Sequence, residues 1–235
     1  MRVEVAFTPA EAGEAPTGIV VDVIRATTTV CQALASGYSR VFCTAEVEEA
    51  RVLREALGEG VLGGERQNVR IPGFDLGNSP REYLEPLGDT LVLSTTNGTR
   101  AVIATAEHCG RVLVASLLNL GAVVEATLKH AEDAVIVCAG VQGELALDDA
   151  YVAGRIVSAL DSERSDAAEA AARLAGSWGS AEEALRASRS GRNLLANAPE
   201  LEDDIAYCAR ESVIDIVPRL ADMRDGAAEI ALGTV

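Results

Sequence analysis

The sequence predicts an α/β protein: a three-layer α/β/α arrangement around a mixed sheet. Short runs rich in Val, Ile and Leu alternate with longer segments of helical period, the pattern of a layered α/β architecture. Hydrophobic residues make up 49% of the 235, enough to bury a full core. Segments 18–43 and 90–116 also repeat one order: apolar strand, Thr-rich turn, helix, glycine, then Arg-Val entering a second strand.

The expected strands are 3–7, 18–23, 40–43, 61–62, 90–94, 111–115 and 134–138, each a β-branched apolar run bounded by turn residues. Helices are expected at 27–35, 46–57, 99–106, 120–130 and 148–160. Beyond residue 165 an Ala-rich stretch to Ser188 reads as helix, and 202–211 as another. The offset from Thr28 to Thr99 equals that from Arg40 to Arg111, at 71 residues. Each copy continues through a further helix and strand to a glycine-bearing loop, so a duplicated β-α-β-α-β unit is one reading. The expected organisation is one compact unit over 1–235, with lobes 1–88 and 89–165 and a helix-rich tail 166–235 packed on them.

A formal charge of −16 repels phosphate backbones and anionic membrane surfaces, so neither nucleic acid nor membrane is an expected partner. The same acidity offers carboxylates to divalent cations. The basic residues comprise one lysine, Lys129, and nineteen arginines, the better fork for oxyanions. Five cysteines (Cys31, Cys43, Cys109, Cys138, Cys208) sit mostly within apolar runs, which suits buried thiols in a reducing compartment, and the cytoplasm is expected. No uninterrupted apolar stretch approaches the roughly 18 residues that span a bilayer.

Two Thr-rich turns could serve anions, because the first amides of a helix lack partners and lie at the positive end of its dipole. The first carries Asp22 at a strand end, then Arg25, Thr27, Thr28 and Thr29. The second is Thr95-Thr96-Asn97-Gly98-Thr99. Ordinary capping explains either turn equally well. Glu65 and Arg66 follow Gly63-Gly64 and offer a metal carboxylate and an oxyanion clamp, whereas Asp75, Asn78 and Ser79 read as turn-stabilising. Asp148 and Asp149 open a helix, where an acidic pair is usually a cap and dipole partner. The alternative is that one of the pair turns inward to join Asp22 and Glu65 around Mg²⁺. The two histidines, His108 and His130, fall at helix ends, which leaves a Ser-His-Asp triad or a zinc site without parts. Cys138 lacks the arginine a Cys-x5-Arg phosphatase loop requires, since Glu144 stands there.

Taken in order, Val21-Asp22-Val23-Ile24-Arg25-Ala26-Thr27-Thr28, Gly64-Glu65-Arg66, Gly73 to Pro80, Thr95 to Thr99, and Cys138-Ala139-Gly140 with Asp148-Asp149 resemble the 2-phosphosulfolactate phosphatase family. The resemblance implies a Mg²⁺-dependent phosphomonoester hydrolase that releases sulfolactate and phosphate on a route toward coenzyme M. Under it, Asp22, Glu65 and Asp149 hold the metal. Asp22, Arg25, Glu65 and Arg66 form the catalytic set, and Thr27, Thr28, Thr96, Asn97, Gly98 and Thr99 bind the substrate. Where the family commonly has Leu-Glu-Asp, this chain has Leu147-Asp148-Asp149, which favours Asp149 as the ligand. Two routes stay open, attack by an aspartate or by water. A non-catalytic sensor of small phosphorylated carboxylates is the competing reading, and a homodimer is the expected assembly.

Overall fold

The structure is a computed structural model that describes residues 1–233. Eleven strands form one sheet: β1 (Arg2–Ala6), β2 (Ala15–Val21), β3 (Arg40–Thr44), β4 (Val61–Arg66), β5 (Val69–Arg70), β6 (Thr90–Ser94), β7 (Cys109–Ala115), β8 (Ala134–Cys138), β9 (Glu163–Arg164), β10 (Pro218–Arg224) and β11 (Ala227–Leu232). Their order is β5-β4-β6-β3-β11-β10-β7-β2-β8-β1-β9. β4, β6 and β3 run parallel, as do β7, β2, β8, β1 and β9. The antiparallel hairpin β10-β11 joins the two groups, pairing with β7 on one side and β3 on the other.

Period-2 burial divides the side chains between the faces. Val20, Val41, Cys43, Leu91, Leu93, Val112 and Val114 enter a core shared by both groups of strands, and α1 (Ala26–Ser36) and α3 (Gly98–His108) fill it with Val30, Leu34, Ala101 and Val102. The alternate residues face the opposite side. There Phe42, Leu62 and Val92 meet α2 (Val47–Leu57) through Ala50 and Leu53. Ile19, Val21, Leu113 and Ile136 meet a helical layer led by α5 (Leu147–Ala159) and α6 (Asp166–Gly176). α4 (Leu120–His130) completes that cover, while α7 (Ala181–Ala187) and α8 (Arg189–Asn197) pack against α5, and α9 (Asp203–Cys208) packs against α7. The three-layer α/β/α arrangement with a mixed sheet is thus present.

The order β-α-β-α-β occurs twice, as β2-α1-β3-α2-β4 and β6-α3-β7-α4-β8. The first strand of each run lies between the second and third strands of the other. Recurrence of the order does not by itself establish a duplication. Three expectations need correcting. Gly63-Gly64-Glu65-Arg66 is not a loop but continues β4, because a Cβ at Gly64 would fall 2.2 Å from the Ser94 carbonyl oxygen, so only glycine lets β4 lie this close to β6. The tail is not only helical: it contributes the central hairpin, turned by Asp225 and Gly226 at positive φ (50° and 83°). The expected helix at 202–211 is confined to Asp203–Cys208.

No helix among the described residues is long and apolar enough to cross a membrane. All five cysteines are free; four are buried and Cys109 is half-buried.

α5 and α6 cross at Gly154, where a Cβ would lie 2.0 Å from the Ala171 carbonyl oxygen. Gly154→Ala is therefore expected to lower stability by about 1–3 kcal/mol, read as an earlier urea midpoint, because the backbone of α6 must move to admit a methyl group.

Candidate active site

Asp22 follows the last residue of β2, Glu65 is the penultimate residue of β4, and the turn 95–97 follows β6; all three lie at carboxyl ends of strands, where open α/β sheets place their ligands. They converge on one cleft of ≈ 420 Å³, lined by Asp22, Arg25, Glu65, Asn68, Asn78, Thr95, Thr96 and Asn97 together with residues of α8 and of the loop after β8. The cleft separates the sequence-expected residues into those that face it and those that brace it.

Asp22 and Glu65 face it. Glu65 is held by both oxygens: Oε1 accepts from the Thr96 hydroxyl at 3.0 Å and Oε2 from the Asn68 amide at 2.8 Å. Gly98 lets α3 start against Asp22, since a Cβ there would meet Asp22 Oδ2 at 2.9 Å and the Ala26 methyl at 2.6 Å. Arg25 also faces the cleft, although it is only 2% exposed. Its guanidinium is paired with Asp204 of α9 at 2.8 Å and donates to the Asn68 carbonyl at 3.3 Å, while the Ser79 hydroxyl donates to the other Asp204 oxygen at 2.7 Å. A charge this buried requires such a partner.

The remaining expected residues brace the site. Thr27 Oγ1 accepts from the Asp22 amide and donates to the Asp22 carbonyl, and Thr28 donates to the Val23 carbonyl, so both hydroxyls fix the turn. Thr99 lies behind it with its hydroxyl 3.5 Å from that of Thr95. Arg66 is not among the lining residues; it donates to the carbonyls of Glu65, Ala45 and Ser94 and to the Ser94 hydroxyl. Asp149 is likewise behind the cleft, its two oxygens accepting the amides of Val23 at 2.9 Å and Gly140 at 3.0 Å. This carboxylate therefore pins the ends of β2 and β8 together. Its neighbour Asp148 accepts from Ser190 of α8 at 3.0 Å.

Burial and crowding dominate the electrostatics. Asp22 is raised to about 7, first by burial, then by the charges of Asp148 and Glu65, against the lowering effect of the Ala26 amide and Arg25. Burial raises Asp148 to about 6 despite its bonds to Ser190 and Ser188, and Asp149 also lies well above the usual carboxylate range. A cation would relieve this repulsion. Among the described residues no three His, Cys, Asp or Glu side chains form a ready-made cage. Mg²⁺ asks for less, one or two carboxylates with water and substrate oxygens. Asp22 and Glu65 are hard oxygen donors, and Asn78 Oδ1, buried in the same lining, has no hydrogen-bond partner. An orphaned acceptor on a residue that lines the same cleft as two carboxylates fits a hard cation or its water.

A family model for 2-phosphosulpholactate phosphatase matches residues 6–223. The chain belongs to this family. Among its relatives, the probable 2-phosphosulfolactate phosphatase of Carboxydothermus hydrogenoformans is 36% identical over 93% of this chain and 92% of its own length. That of Thermotoga petrophila is 39% identical over 94% and 96%, and that of Deinococcus radiodurans 38% over 92% and 93%. The 2-phosphosulfolactate phosphatase family name denotes a phosphoric monoester hydrolase, and in this member the Asp22–Glu65–Arg25 cleft is where the described fold gathers charge.

Among the contributors to the cleft not anticipated as site residues are the Asn68 backbone, the Asn78 side chain and the α8 face. Asp204, which holds Arg25, was also missed. Only Asn78 carried a local signal, its place in the long irregular segment after β5.

Because the folded state holds the Asp22 proton to about pH 7 while the unfolded chain releases it near 3.8, the associated stability is present at low pH and lost as pH rises through 7. In metal-free buffer Asp22→Asn is expected to melt close to wild type at about pH 4 and several degrees above it at about pH 8. Parallel melting curves at both pH values would show that Asp22 carries no such burden.

Proposed function

We propose that the chain hydrolyses the phosphomonoester of a small 2-phospho acid, 2-phosphosulfolactate, to sulfolactate and phosphate in a Mg²⁺-dependent reaction. The observation that carries this reading is the convergence of Asp22 and Arg25, from the turn between β2 and α1, with Glu65 of β4 in one cleft sized for a small molecule. The probable activity of the named relatives supports the choice of substrate.

In this reading Asp22 and Glu65 hold Mg²⁺, with Asn78 Oδ1 as an accessory oxygen donor to the ion or its water. When bound, Mg²⁺ neutralises phosphate charge and orients the phosphoryl group. Arg25 presents a fixed guanidinium to the equatorial phosphate oxygens, and its pairing with Asp204 keeps it from swinging onto Asp22 or Glu65. The Thr96-Asn97 turn contributes donors at the start of α3. Thr27, Thr28, Gly98, Thr99, Arg66 and Asp149 hold these groups in place. In the net reaction the bond between phosphorus and the ester oxygen breaks, water supplies the new P–O bond, and a proton passes to the departing alkoxide. The free thiols suit a reducing compartment, so we place the enzyme in the cytoplasm.

Phosphate release from 2-phosphosulfolactate is expected to require Mg²⁺ and to stop with chelator, and Asp22→Ala is expected to lower kcat/KM by about 10²-fold or more. Equal rates with and without Mg²⁺, or no release from any phosphomonoester, would overturn the proposal.

A further inference from the structure

One helix of the tail forms a wall of the cleft with an unusual chemistry. Ser190, Asn193 and Asn197 of α8 are spaced three and four residues apart, so they lie along one side of the helix, and all three line the cleft. Gly191 and Leu194 are buried against the protein. The charges of α8 are turned elsewhere: Arg189 donates to Glu144 Oε2 and Gln142 Oε1, both at 2.7 Å, and Arg192 donates to the Ala187 carbonyl. The face toward the acidic floor is therefore neutral yet rich in donors. Ser190 commits its proton to Asp148, whereas the hydrogen bonds of the described residues include none from the Asn193 or Asn197 carboxamides. Both amides are exposed at the cleft.

A small phospho acid carries at least one further anionic group, and binding the phosphoryl end at the floor leaves that group beside the walls. In a protein of charge −16, with Asp22 and Glu65 in the same cleft, the second anion needs hydrogen-bond donors that offset the repulsion of those carboxylates. Lysine or arginine on α8 would be drawn across to those carboxylates and fill the space the substrate needs. Carboxamides donate two N–H groups each without that attraction.

We propose that Asn193 and Asn197 are specificity-determining residues, which donate hydrogen bonds to the carboxylate or sulfonate that is not transferred. The inference rests on the proposed hydrolysis for its choice of cleft and states how that cleft reads the far end of its substrate. Because both side chains are exposed, their replacement leaves the core intact.

The test is calorimetric titration of sulfolactate and of inorganic phosphate, each with Mg²⁺ present, into wild type, Asn193→Ala/Asn197→Ala and Asn193→Gln/Asn197→Gln. The alanine pair is expected to weaken sulfolactate binding by about tenfold or more and leave phosphate binding unchanged, and the glutamine pair, which keeps the donors, to recover part of the loss. Unchanged sulfolactate affinity, or equal weakening of both ligands, overturns the assignment. Turnover is not needed for this readout. If the amides bind sulfolactate as described while phosphosulfolactate releases no phosphate, the hydrolytic reading fails and the recognition wall stands.

Discussion

Asp22, Glu65 and Asp148 are carboxylates brought together in the interior, and their mutual repulsion is the constraint to which the rest of the site responds. Asp22 feels burial first and the other two charges next. Nothing local to β2 forces this crowding. It arises because β4 and the start of α5 converge on the end of β2, and the sheet is held in that shape by Asp149, which fastens β2 to β8, and by Arg66, which fastens β4 to the end of β6. The fold thus spends two more charged residues on keeping three like charges close, an arrangement that is unfavourable unless a counter-charge or a proton relieves it.

The tail is part of the same device. Asp204 neutralises Arg25 where neither could be buried alone, and α8 covers the acidic floor with uncharged donors. Tyr207, one turn from Asp204, donates to Gln32 of α1 at 2.6 Å and ties α9 to the helix that follows Arg25. Residues from 190 to 207 therefore set both the position of Arg25 and the chemistry of the α8 wall, while the hairpin of 218–232 bridges the two parallel groups of strands.

Much of the layered fold could be read from the chain because buried parallel strands are continuous apolar runs; 90–94 and 134–138 were bounded to the residue. Two-residue strands such as β5 and β9 carry no periodicity to read. The β10-β11 hairpin did carry a signal, Asp225-Gly226 between two extended runs, but the polar alternation of Arg219 to Arg224 obscured it. Asp22 and Glu65 were legible because strand ends are where α/β sheets place function. The choice between Asp148 and Asp149 was not: adjacent helical residues point about 100° apart, and packing of Tyr151, Val152 and Ile156 fixes the rotation of α5. Arg66 was equally opaque, since Ala45 and Ser94, which occupy its guanidinium, lie 21 and 28 residues away. Asp204 lies 179 residues from Arg25, and no local pattern announces such a pair.

A bound divalent cation would relieve the conflict among these carboxylates. Calorimetric titration of Mg²⁺ in buffers of differing ionisation enthalpy counts the protons displaced as the ion binds. Near pH 6.5, between the positions of Asp148 at about 6 and Asp22 at about 7, binding is expected to release roughly one proton, falling toward none at about pH 8.5. Mg²⁺ binding with no proton release at either pH, or no Mg²⁺ binding at all, would contradict the account.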